Sequence, residues 1–288
     1  MTQAIVHNLP PTSDGSVVPY YSPSQLLLSL GYWVFKYKAC TADERRLMRV
    51  GLRAGIGTSI HNGIQGSLCF NKPIDEMVRR SVLDFQFFDD SDDDLVMRDY
   101  FSDCIPDAIQ QGLKCLTDEG FKNSTAETRI ECSLDDVELP IMGFVDLINE
   151  RNGVICEMKT KMPRKTKLLK SGEQGWAKAM LPKTEPEWNH VCQVAIYARA
   201  TGMIPTICYI APHDTKYFTP LNCDSLKAEG LDRAISQMRQ RALIRQNLTK
   251  ISQDAKVLAS ITDPDWGHQY QWNMESEWKK KAEQLWQM

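Results

Sequence analysis

The chain has 288 residues, of which 42% are hydrophobic and 25% charged, and a formal net charge of -3, so it can bury a real core and has the make-up of an ordinary soluble globular protein. No stretch is long and apolar enough to read as a membrane span, and the opening MTQAIVHNLPPTSDG has neither a signal peptide's apolar core nor the Arg-rich character of a transit peptide, which makes an intracellular, cytoplasmic location the expectation. The near-neutral balance announces no global nucleic-acid surface, so any such surface must be local.

Residues 1–21 hold several prolines and are expected to be mobile, and 22–288 to form one domain, because no linker clearly divides them. Ser22-Pro23 reads as an N-cap followed by proline at the first helical position, and Leu26, Leu30, Trp33 and Tyr37 recur at helical spacing, which predicts a buried helix. The glycine-rich GLRAGIGTSIHNGIQGSL contains a GxG, but it has no preceding strand and no third glycine, and GxxxxGK[ST] occurs nowhere, so dinucleotide and P-loop readings fail. The six aspartates between Asp84 and Asp94 read as a solvated acidic loop. TRIECSL (128–134) and the two apolar runs around Asn152-Gly153 predict three successive strands. A helix from about Glu187 to Thr201, a fourth strand at PTICYIA (205–211) and an amphipathic helix between Asp224 and Asn247 follow. The tail, with Trp266, Trp272, Trp278 and Trp286, is expected to be packed. The nine cysteines form no CxxC pair and their count is odd, which predicts reduced, mostly buried thiols and neither zinc nor an iron-sulfur cluster.

The segment IMGFVDLINERNGVICEMK (141–159) carries Asp146, Glu157 and Lys159 inside two apolar runs. Asn-Gly is a strong two-residue hairpin signal, and such a turn sets Asp146 opposite Lys159. A four-residue loop from Glu150 to Gly153 would instead set Asp146 opposite Glu157. Either way all three project from one face, while Val145, Leu147, Val154, Cys156 and Met158 form an apolar one. Two close carboxylates repel, more so in apolar surroundings, and call for a cation or a shared proton, with a hard divalent ion the obvious guest. A plain cross-strand salt bridge between Asp146 and Lys159 is the simpler alternative. The [DE]xK triplet also recurs at Asp214-Thr-Lys216, Asp254-Ala-Lys256 and Glu277-Trp-Lys279, but none of these follows a Gly-x-x-Asp strand and a tight turn.

Gly143-Phe-Val-Asp146, Glu157-Met-Lys159 and Gln193-Val-Ala-Ile-Tyr197, in that order, resemble motifs II and III and the QxxxY helix of the PD-(D/E)XK nucleases in their RecB-like branch. Gly57-Thr-Ser-Ile-His61 matches the Gly-x-x-x-His helix of that branch, SPSQLLLSLGYWVFKY is similar to its N-terminal helix, and WNHVCQVAIYARATG to the QxxxY helix of phage exonucleases. The similarity covers about residues 22–211; it departs in lacking C-terminal cysteines and in the long gap between Lys159 and Gln193. The resemblance implies an α/β domain of restriction-endonuclease-like fold, a central mixed sheet of three antiparallel strands plus a fourth flanked by helices, with helical elaborations at both ends. It implies metal-dependent hydrolysis of DNA phosphodiesters, an exonuclease of phage DNA recombination or degradation being the first expectation. A structure-selective endonuclease of the same fold, or an inactive nuclease-derived binding or scaffold protein, are the alternatives. Asp146, Glu157 and the Met158 carbonyl would then bind Mg²⁺ or Mn²⁺, with His61 as a nitrogen ligand. Lys159 would position or help deprotonate the attacking water, and Gln193 and Tyr197 would brace the site and touch the DNA backbone. Glu131 resembles an accessory acidic position, with Glu127 an equally near candidate. DNA is the expected partner, no membrane is, and a single-strand annealing or other recombination protein could join it in the cytoplasm, the host's if the chain is phage-encoded.

The gap from Lys159 to Lys183 holds eight Lys or Arg and one acid, Glu173, a local reversal of sign. A solvated basic loop is the simple reading. Both ends of the segment are tied to motif residues, so Lys161, Arg164, Lys165 and Lys167 are expected to clamp phosphates, with Trp176 available to stack on a base.

Overall fold

A computed structural model describes residues 20–48, 51–88, 94–267, 272 and 274–287. The described helices and strands, in chain order, are α1 (Pro23–Leu27), α2 (Leu30–Val34), a π-helical turn (Phe35–Ala39), α3 (Ala42–Leu47), α4 (Leu52–Leu68), α5 (Ile74–Gln86), α6 (Leu95–Asp118), β1 (Thr125–Cys132), β2 (Ile141–Asn149) and β3 (Val154–Thr160). They continue with the short β4 (Arg164–Lys165) and β5 (Trp176–Ala177), α7 (Trp188–Thr201), β6 (Ile204–Ala211), β7 (Asp214–Phe218), α8 (Ala228–Ile251), α9 (Ala255–Ala259) and α10 (Ser276–Trp286), with one 3-10 turn at Asp224–Leu226.

Contacts gather the chain into two compact units. One comprises the described parts of Met1–Arg49, Glu131–Met142 and Ser236–Met288; the other comprises Val50–Ile130 and Gly143–Ile235. β1, β2 and α8 run through both.

In the first unit Ser22 caps α1 with a capping box and Pro23 at its first position. The expected single helix is in fact broken: Leu28 is extended and Ser29 caps a new helix. Trp33, Val34 and Tyr37 pack with Leu248 and Leu258, while Phe35 and Cys40 pack with Trp272 and Trp278. The expected mobile segment lies outside the described residues except for Tyr20 and Tyr21. Tyr21 is buried and bridges Ile141 in parallel.

The second unit holds the core of the sheet, whose strand order is β1-β2-β3-β6-β7. β2–β3 and β6–β7 are antiparallel and β3–β6 is parallel, so the expected fourth strand inserts beside β3, and β7 adds a fifth that the sequence reading did not include. Despite its glycines, α4 is a helix because Leu52, Ile56, Ile60, Ile64 and Leu68 recur every fourth residue as a fully buried stripe. That stripe packs with Phe101, Ile105 and Ile109 of α6 and with Leu147, Cys156 and Met158 of the sheet. Of the acidic run, Asp84 lies in α5 and Asp94 caps α6, and 89–93 lie outside the described residues. All nine cysteines are free, seven of them buried.

Candidate active site

The β2–β3 register is Leu147↔Cys156, Ile148↔Ile155 and Asn149↔Val154, so the loop is the four-residue Glu150–Gly153 rather than the two-residue turn. A type I′ turn needs positive φ at both central residues. Here Gly153 has φ 64° and Asn152 is not in that region. Asn149 closes the loop instead, its Oδ1 accepting the Asn152 N–H at 3.1 Å while its Nδ2 donates to the Gly120 carbonyl at 2.6 Å. The longer loop sets Asp146 across from Glu157. At that point the Asp146 carboxylate accepts the Met158 N–H at 2.6 Å, and the Asp146 carbonyl accepts from Gln65 Nε2 at 3.1 Å.

Glu157 is only 3% exposed. Its Oε1 accepts from Lys159 Nζ and from Gln193 Nε2, each at 2.7 Å. Lys159 Nζ also donates to Gln193 Oε1 at 3.0 Å, and Gln193 Nε2 to the Tyr197 hydroxyl at 2.9 Å. Gln193 and Tyr197 share a face one helical turn apart on α7, which is why a single helix can hold both ends of this chain of bonds. Burial pushes the Asp146 carboxyl well up, and the Glu157 charge adds to it. Burial raises Glu157 too, against the pull of Lys159. For Lys159 burial works downward, but Glu157 and Asp146 outweigh it and hold the ammonium above its usual range.

A cleft of about 310 Å³ opens over these groups, walled on one side by Arg53, Ala54, Gly57, Thr58 and His61 of α4 and on the other by Asp146 and β3 from Glu157 to Thr160. Three buried polar atoms of the residues around this cleft, Glu157 Oε2, His61 Nε2 and Thr160 Oγ1, have no hydrogen-bond partner. Burial, followed by the Lys159 charge, lowers His61 to about 3, leaving a neutral imidazole. In ligand chemistry the set suits a hard divalent ion. Among the described residues, however, no three His, Cys, Asp or Glu side chains are gathered at one metal-holding point.

The acidic candidates separate. Glu131 is exposed, whereas Glu127 is half-buried, accepts from Gln65 Nε2 at 3.0 Å and adds negative charge around Asp146 and Glu157. Glu127 also has φ 49°, a left-handed conformation uncommon for a side chain of this kind. Gln65 lies one turn beyond His61, a spacing that could have flagged it. The three competing triplets lie at the surface: Asp214 opens β7, Asp254 caps α9, and Glu277 and Lys279 are exposed on α10.

The long gap folds as a small hairpin, Arg164 pairing Ala177 and Lys165 pairing Trp176. Arg164, Lys165 and Lys167 are exposed. Lys161 is ion-paired with Glu187 and Lys165 with Asp94. Trp176 differs from expectation, because its ring is stacked on Tyr100 at 3.9 Å and 4° and so has one face already covered. Arg53 Nη2 donates to the Pro163 carbonyl at 3.1 Å where the hairpin begins.

His190, one turn before Gln193, went unread in the sequence. Its Nδ1 lies 2.7 Å from the Tyr209 hydroxyl, which also accepts the Glu187 N–H at 2.8 Å. Burial first, then Lys159 and Lys161, lower it from 6.5 to about 2. An unfolded chain would protonate this imidazole below 6.5 and the folded one would not, so acidification favours unfolding, by up to about 1.4 kcal/mol per pH unit. His190→Asn keeps an acceptor for Tyr209 and removes the titration. Urea unfolding at pH 7, 6 and 5 should show the variant losing less stability on acidification than the parent; parallel losses would mean that His190 does not stay neutral.

No family model matches this chain, and no curated protein matches it. A solved structure, that of SSO0001, is similar at 18% identity over 52% of this chain and 65% of its own, with a TM-score of 0.28. The matched region is thus less than two thirds of that protein's length. Among the described residues no helix is long and apolar enough to cross a membrane.

Proposed function

We propose that this protein is a metal-dependent deoxyribonuclease of the PD-(D/E)XK kind, acting as an exonuclease in phage DNA recombination or degradation. The observation that carries the reading is the single bonded chain Glu157–Lys159–Gln193–Tyr197, which lies beside Asp146 at a cleft where three buried polar atoms lack partners. Asp146, Glu157, the Met158 carbonyl and His61 would hold Mg²⁺ or Mn²⁺. Such an ion, when bound, acidifies water and offsets charge on a phosphate. Two of the three Lys159 N–H bonds go to Glu157 and Gln193, leaving the third to hold the attacking water in line. As the water oxygen bonds to phosphorus it gives up a proton to solvent, the phosphorus–oxygen bond to the leaving sugar breaks, and that oxygen takes up a proton from solvent. Gln193 fixes both Glu157 and Lys159, and Tyr197 fixes Gln193.

End-labelled linear DNA and covalently closed circular DNA, each digested with Mg²⁺ and with Mn²⁺, test the reading. Loss of label from linear DNA with the circle intact is expected. Nicking of the circle would mean an endonuclease, and no cleavage of either would favour the inactive scaffold. The basic hairpin supplies a separate prediction. Neutralising Lys161, Arg164, Lys165 and Lys167 together should weaken DNA binding and flatten its log–log salt dependence by about 0.7–0.9 for each phosphate no longer neutralised. An unchanged affinity and slope would reduce the hairpin to a surface loop.

A further inference from the structure

The glycines within α4 differ in what surrounds them. A Cβ at Gly55 would lie 2.5 Å from the Phe88 ring, at Gly63 2.4 Å from Ile109, and at Gly66 2.2 Å from Met77, so a side chain at any of these three would force its neighbour to move. A Cβ at Gly57 would meet nothing within 4 Å. Glycine inside a helix costs stability relative to alanine, and at Gly57 no packing offsets that cost. Gly57 lies on the wall of the cleft, flanked by the short Ala54 and Thr58, with Arg53 one turn before it. Across the cleft stands Glu157, 3% exposed, with its Oε2 unpartnered.

We infer that this face of α4 seats the sugar–phosphate backbone of the DNA strand being cut, with Gly57 leaving the room a sugar or phosphate needs to touch the helix itself. The inference rests on the nuclease reading and deepens it by naming where the strand lies. Arg53, held at the head of the basic hairpin by the Pro163 carbonyl, adds a guanidinium to the same wall for the next phosphate. The cleft, about 310 Å³, is at the small end of ligand sites, room for the sugar–phosphate unit at the cut.

The test is binding of a fluorescent single-stranded oligonucleotide in EDTA, followed by cleavage in Mn²⁺, for the full chain with Gly57→Ala and Gly57→Leu. Both should fold, and Gly57→Ala should melt higher than the parent. Affinity should fall about tenfold for alanine and about a hundredfold for leucine, with Mn²⁺ binding by calorimetry unchanged. Should the leucine variant not fold, the alanine variant decides. Parental affinity and KM in the substituted proteins would overturn the inference while leaving the nuclease reading intact, and so would a loss of Mn²⁺ affinity matching the loss of DNA. A parent that neither binds nor cuts DNA would overturn the nuclease reading and the inference with it.

Discussion

On the proposed nuclease reading, Glu157→Gln and Asp146→Asn each remove a carboxylate that would hold the metal ion and Lys159→Ala removes the cation beside the phosphate, so each should lower DNA cleavage by about a thousandfold or more. Their effects on the metal-free protein should differ. Asp146→Asn keeps an oxygen for the Met158 N–H and removes a carboxylate whose proton affinity is raised by burial and by Glu157. A raised carboxyl holds its proton in the folded state to a higher pH than in the unfolded one, so the folded chain loses stability as pH rises above the ordinary carboxylate range. In EDTA the variant should therefore melt above the parent at pH 8, and the gain should shrink on acidification. Lys159→Ala should melt lower, since it leaves Glu157 buried without its cation. Near-parental cleavage by Glu157→Gln would end the assignment, and equivalent loss from Glu277→Gln would point to the wrong triplet.

Gly143→Ala is expected to act at a distance from the chemistry. An added Cβ would lie 2.7 Å from Tyr197 Cε1 and 3.0 Å from its hydroxyl. Tyr197 is 3% exposed and cannot swing away, so the strand or α7 must shift. Overpacking of this kind costs about 1–3 kcal/mol. Because Gln193 is bonded to the Tyr197 hydroxyl and to both Glu157 and Lys159, the shift should also lower cleavage by about a hundredfold. Urea unfolding and initial rates on linear DNA measure the two effects. Full activity would mean that Gly143 and Tyr197 do not set the position of Gln193.

In this chain the Tyr197 ring rests on the bare strand at Gly143. Nothing in the sequence shows it, because the two residues meet only in the tertiary structure. Local signals fared better. Alternation and the Gly153 turn placed Asp146, Glu157 and Lys159 near one another, and the carboxylate spacing followed once the loop length was known. The loop length itself was hidden, since it depends on Asn149 reaching Gly120 at the end of another element. The choice between Glu127 and Glu131 stayed open for a similar reason: the left-handed backbone of Glu127 and its bond to Gln65 have no signature in composition or period. The break after α1 was missed because helical spacing of Leu26, Leu30, Trp33 and Tyr37 says which side chains are buried but not whether one helix carries them. β7 was missed because its five residues hold little apolar alternation and pair only with β6.

The division of the chain also sets a timetable for its synthesis. Every residue of the unit that bears the cleft has been made once Ile235 is joined, whereas the other unit, which includes α1, still needs residues of the Ser236–Met288 stretch. Trp33, Phe35 and Tyr37 leave the ribosome about two hundred residues or more ahead of Leu248, Leu258, Trp272 and Trp278, which cover them. At about 5–20 residues per second the early aromatic segment waits ten seconds or more for its cover. During that interval it is a natural client for a holding chaperone, and a chain broken off near residue 235 would leave the aromatic segment permanently bare.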